Sequence, residues 1–115
     1  MTLSSLLGSN DAIDRPMVEL KIRGSNSTDS FLYDSGAQVS LISKKCFRKI
    51  NVHKRPKKIN FDLTCSGVSG SQLNVLGCYM LNFKLLGKEI KHPLFVVDSI
   101  PGQAGVIGID VIKKF

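Results

Sequence analysis

A chain of 115 residues, 43% hydrophobic and 22% charged, supports one globular domain and excludes a disordered chain. No apolar run approaches the roughly 18 residues of a membrane span, and the opening Met1-Thr2-Leu3-Ser4-Ser5-Leu6-Leu7-Gly8 lacks the basic segment and apolar length of a secretory signal. The net charge of +7 requires that nucleic acid be weighed as a partner.

Residues 1–15 read as a flexible leader or neighbouring polyprotein segment, and 16–115 as the folded domain. Val18, Leu20 and Ile22 alternate with Glu19, Lys21 and Arg23, the pattern of a half-buried strand. Gly24 to Asp29 is a turn cluster. Ser30–Asp34 forms the next strand, and Val39–Ile42 another. Ser43 is placed to cap a short helix running through Ile50. Ile59, Phe61 and Leu63 alternate again, as do Leu73 and Val75. Tyr79, Leu81, Phe83 and Leu85 continue the pattern into a turn at Gly87. Ile90 to Val97 is a further strand, with Pro93 favouring an edge or a bulge. Many short strands separated by turn signals predict an all-β barrel or sandwich.

Cys46, Cys65 and Cys78 are odd in number and show no C-x-x-C spacing, so three free thiols in a reducing compartment are expected. His53 and His92 stand apart from any matching ligand pair, so neither a metal nor a cofactor is expected. Lys44, Lys45, Arg48, Lys49, Lys54, Arg55, Lys57 and Lys58 fall in one stretch, with no acid between Ser35 and Phe61. A solvated helix face and loop is favoured here over a nucleic-acid patch, because no aromatic residues interleave at stacking spacing.

Phe31-Leu32-Tyr33-Asp34-Ser35-Gly36-Ala37-Gln38-Val39-Ser40-Leu41-Ile42 is the most informative segment. It sets a carboxylate at the junction of two apolar strands, where an unpaired charge is costly to bury. The plain alternative is turn chemistry, in which Asp and Ser bond nearby backbone and Gly accepts a positive φ. Towards the other end lies Gly105-Val106-Ile107-Gly108-Ile109-Asp110-Val111-Ile112. Between them, Thr64 to Gly77 is a glycine-bearing stretch.

In order and spacing these three elements resemble the active-site loop, flap and second glycine motif of retropepsin-like aspartic proteases. The resemblance covers about residues 16–115. It implies a small, closed, barrel-like all-β fold with a flap hairpin and one short C-terminal helix. It implies Asp34 as the catalytic acid and Ser35 as a hydroxyl bonding across a dimer. Gly36 would offer its amide to the carboxylate, and Ala37 would line the site floor. Ser66, Gly67, Val68, Ser69, Gly70 and Ser71 would form the flap tip over a polypeptide substrate. Ile107 and Gly108 would pack behind the loop, and Asp110 would cap or bond near the helix start. Two features depart from the pattern. Ile109 stands where viral members often carry Arg, and the terminal strand that usually knits the dimer does not follow Phe115, which leads to the expectation of a loose dimer.

Hydrolysis of this kind needs two carboxylates sharing one water and one proton. The chain has one Asp-Ser-Gly; Asp98 precedes Ser99-Ile100, and Asp110 lies at a helix start. A homodimer supplying Asp34 twice is therefore expected. Three functions fit: a cytoplasmic endopeptidase maturing a retroelement or retroviral polyprotein, including within virus-like particles; a cellular retroviral-like protease domain of the ubiquitin-shuttle type; or a non-catalytic dimerisation module on the same fold.

Overall fold

A computed structural model describes residues 16–51, 53, 56–60, 74–100 and 102–114. The stretch Ser66–Ser71 assigned to a flap tip, together with Cys65, Phe61 and Leu63, lies outside the described residues. So does the leader, residues 1–15.

Among the described residues, six strands and two short helices follow in order: β1 (Met17–Ile22), β2 (Thr28–Tyr33), β3 (Leu41–Ser43), α1 (Lys44–Phe47), β4 (Val75–Leu85), β5 (Lys88–Val97), β6 (Gly105–Ile107) and α2 (Ile109–Ile112). The strands close into a barrel in the order β1-β2-β6-β3-β5-β4. Of the two architectures that the strand pattern allowed, the barrel is the one formed. Consecutive hairpins supply the antiparallel pairs β1–β2 and β4–β5. The short β6 enters between β2, to which it runs parallel, and β3, to which it runs antiparallel.

The alternation read from β1 is present: Leu20 and Ile22 are buried while Glu19 and Lys21 face outward. Asp29 lies inside β2 rather than in the preceding turn, because its strand position brings its carboxylate against Lys49 and Cys46. Ser43 caps α1 as expected, its hydroxyl accepting the Cys46 N–H at 3.2 Å. The α-helix ends at Phe47, and turns carry the chain on to Ile50. Pro93 lies in the half of β5 that pairs only with β4, since pairing with β3 begins at Phe95.

The interior divides in two. Leu20, Ile22, Phe31, Leu81, Phe83 and Leu94 belong to the larger cluster, which α1 covers through Phe47; the Phe47 ring lies 4.5 Å from that of Tyr79. Leu32, Ala37, Leu41, Val97, Ile100 and Val106 form a smaller cluster around β6. Cys46 and Cys78 are free and buried. Burial and the adjacent Asp29 carboxylate raise the Cys46 thiol to about 12, and burial raises that of Cys78.

Gly105 is the point of closest packing. A Cβ there would overlap the Leu41 carbonyl oxygen and the Phe31 ring. Gly105→Ala is expected to destabilise the domain by about 1–3 kcal/mol or more, because backbone and ring cannot both give way. Urea denaturation followed by circular dichroism measures the loss.

Candidate active site

β2 carries the chain outward and ends at Tyr33, so Asp34 emerges at the strand's end, half-buried. Its backbone N–H donates to the Ile107 carbonyl at 2.9 Å. The Ala37 N–H donates back to the Asp34 carbonyl at 3.0 Å and closes a tight turn. Within the turn, the Gly36 N–H donates to Asp34 Oδ1 at 2.9 Å, the bond expected at that glycine. Gly36 does not have a positive φ. What it contributes is room, since a Cβ would stand 3.2 Å from the carboxylate oxygen. Ser35 is exposed at the tip of the turn. Ala37, expected on the site floor, has no exposed surface and packs into the smaller core cluster beneath the loop.

The segment 107–110 crosses behind this loop. Ile107 is fully buried in β6, in register with Tyr33. The Ile109 N–H donates to the Ala37 carbonyl at 2.7 Å. Gly108 passes so close that a Cβ would meet the carbonyl oxygens of Ala37 and Val39 at 2.7 Å each. Only a residue without a side chain fits there with the loop unchanged.

Asp110 does more than was expected of it. Gly108 holds the N-cap position and makes no side-chain cap bond. Asp110, two residues on and the second residue of α2, reaches across to the loop. Its Oδ1 accepts the Ser40 hydroxyl at 2.7 Å, and its Oδ2 accepts the Ser40 N–H at 3.1 Å. Its Oδ1 also accepts the Val111 N–H, at 2.9 Å. The Ser40 oxygen in turn accepts the Gly108 N–H at 2.9 Å. From β5, His92 Nε2 lies 3.0 Å from Asp110 Oδ2. Burial alone would raise the Asp110 carboxyl, but the bonds from His92 and Ser40 outweigh it and hold the group below the ordinary carboxylate range.

Ser40 and His92 are the residues that sequence reasoning missed. A signal existed for Ser40: a polar residue inside the apolar run Val39–Ile42 must find a partner if buried, and Ser40 is fully buried. For His92 nothing local points to a carboxylate 18 positions away.

Known structures share this backbone path. The retroviral protease-like domain of Ddi1 from Leishmania major superposes with a TM-score of 0.66 at 19% identity, over 89% of this chain and 78% of that one. EIAV protease, in complex with the inhibitor HBY-793, superposes with a TM-score of 0.65 at 18% identity, over 90% of each chain. The fold is retropepsin-like. No family model and no curated protein matches the sequence. The retropepsin-like fold therefore stands on the path of the backbone, and the expected Asp34 loop and Gly108 segment occupy adjoining places within it.

The Asp110 cluster has a defined pH signature. A carboxyl held below its unfolded value stabilises the fold above the unfolded pKa of about 3.9, and that contribution is lost as pH falls through the folded value. Asp110→Asn is therefore expected to cost about 1–3 kcal/mol at pH 7 and to flatten the acid limb of stability as pH falls below the ordinary carboxylate range. Urea midpoints of both proteins across that range test it, and an unchanged acid limb would remove Asp110 from this role.

Proposed function

We propose that this chain is an aspartic endopeptidase that acts as a homodimer on a polypeptide substrate. The observation that carries the reading is the Asp34 carboxylate, turned onto the Gly36 amide at the end of β2 in a retropepsin-like fold. Two copies related by a two-fold axis would bring two Asp34 carboxylates together. The ionised one takes a proton from a shared water, and the protonated one polarises the scissile carbonyl. Ser35, exposed beside Asp34, would bond across the dimer, and residues 66–71 would close over the substrate. The preferred substrate is a retroelement or retroviral polyprotein, cleaved in the cytoplasm or within virus-like particles.

The similarity to the Ddi1 domain favours a second reading, a cellular retroviral-like protease domain. Its discriminating feature is the neighbouring sequence: a reverse transcriptase on one side, or a ubiquitin-like domain on the other. The intact Asp34-Ser35-Gly36 weighs against a non-catalytic dimerisation module.

Asp34→Asn is expected to lower peptide cleavage by about 100-fold or more while leaving the unfolding transition in place. The rate should follow a bell-shaped profile on the acid to neutral side. A peptide library incubated with both proteins at several pH values checks this, and cleavage that survives in the variant would dismiss the assignment.

Specific activity should also fall on dilution, because dissociation removes both halves of the site together. Excess Asp34→Asn mixed with wild type should suppress cleavage, since a mixed dimer holds one carboxylate. Sedimentation equilibrium run at the assay concentrations is the measurement, and a fully active monomer would refute the dimer.

A further inference from the structure

Among the described residues, cations gather at a second place besides the basic stretch of the sequence. Within the basic stretch 44–58, Lys44 pairs with Asp98 at 3.4 Å and Lys49 with Asp29 at 2.7 Å. The outer face of β1, β4 and β5 collects others from distant parts of the chain. Strand register sets them in two rows. Lys21 of β1 lies opposite Lys84 of β4, which lies opposite Glu89 of β5. One row along, the backbone N–H of Arg23 donates to the backbone carbonyl of Asn82, and Asn82 lies opposite Lys91. All six residues are exposed, with the buried Ile22, Phe83 and Ile90 standing between them on β1, β4 and β5.

Two adjoining cavities of about 420 and 630 Å³ run over this face and share Arg23, Asn82 and Lys91; Lys57 lines the second. Neither is lined by Asp34 or its loop. Among the described residues, none of the five cations makes an ion pair; Lys21 donates only to the neutral Ser25 carbonyl. Among those same residues, Glu89 is the one acid lining the two cavities. Directly opposed like charges on neighbouring strands weaken a sheet. The Lys21–Lys84 pair is therefore a standing electrostatic cost in the free protein, and an anion laid between the two would relieve it.

We propose that this groove binds the phosphate backbone of nucleic acid. Rows two residues apart along a strand are separated by roughly 6.6–6.8 Å, so an extended polyanion crossing them meets cations at successive repeats. An acidic peptide fits less well. Backbone groups on a sheet face are taken up in the strand ladders, and the exposed side chains of the two rows are charged or amide-bearing. The apolar lining is either buried, as at Ile22, Phe83 and Ile90, or half-buried, as at Ile59 and Met80, so no exposed aromatic anchor is offered to a protein partner. The same lack of aromatic platforms means that bases are not stacked, so recognition is through phosphate, tolerant of sequence and steeply dependent on salt. The proposal does not depend on peptidase activity.

The test is fluorescence anisotropy of a labelled single-stranded RNA, long enough to cross both rows, against the whole chain over a series of KCl concentrations. Lys84→Gln/Lys91→Gln is expected to weaken binding about fivefold or more and to flatten the log–log salt slope by roughly 1.4, about 0.7 for each phosphate no longer neutralised. Lys45→Ala/Arg48→Ala removes the same charge from the basic stretch and should leave both quantities nearly unchanged. Equal losses in the two variants would overturn the proposal, as net charge alone would then explain binding. So would an absence of binding by the wild-type chain at low salt, or displacement of the RNA by an oligoglutamate as effective as unlabelled RNA. The wild-type salt slope supplies a readout that needs no variant.

Discussion

Everything at the candidate site depends on two backbones meeting without a side chain between them. The Asp34 loop and the segment around Gly108 share N–H to carbonyl bonds in both directions, from Asp34 to Ile107 and from Ile109 to Ala37. That approach is possible because position 108 carries only hydrogen. The base of the loop satisfies its backbone polar groups against the end of β6 and the start of α2. The turn that carries the Asp34 carboxylate is thereby fixed, with the Gly36 N–H as its main-chain donor.

The barrel brings that meeting about. β6 is only three residues long, yet it lies between β2 and β3, the two strands that flank the Asp34 loop. Whatever holds β6 in place therefore also positions the loop. Leu32, Val106 and Ala37 fix it from below through apolar contact. The Ser40–Asp110–His92 cluster fixes it from the side, joining the loop, α2 and β5 through one carboxylate. Burial gives that cluster its directional character, because a buried polar group that loses its partner is penalised more than an exposed one.

Much of this architecture could be read from the residues. The alternation of Leu20 and Ile22 with charged neighbours, the Ser43 cap and the Asp-Ser-Gly and Gly-Ile-Asp segments all announce themselves within a few positions, because period and cap chemistry are local. What escaped the reading is long-range. Asp29 looked like a turn residue because its partners, Cys46 and Lys49, approach only after α1 has folded over β2. The Gly36 amide does meet the Asp34 carboxylate as the motif implied, while the positive φ that plain turn chemistry would use there is not adopted. His92 carried no signal, since its partner is brought to it by tertiary structure alone.

The seam at Gly108 also governs when the site can exist. Its bonds join residues 68 and 70 positions apart, so they cannot form until most of the chain is present. On a ribosome, the Asp34 segment emerges long before its partners, and a nascent chain that ends short of β6 holds the carboxylate without the backbone that orients it. The geometry is completed only when the last turn of α2 has cleared the exit tunnel. Until then the loop lacks both the Ile107 carbonyl and the Ile109 amide that hold it in place.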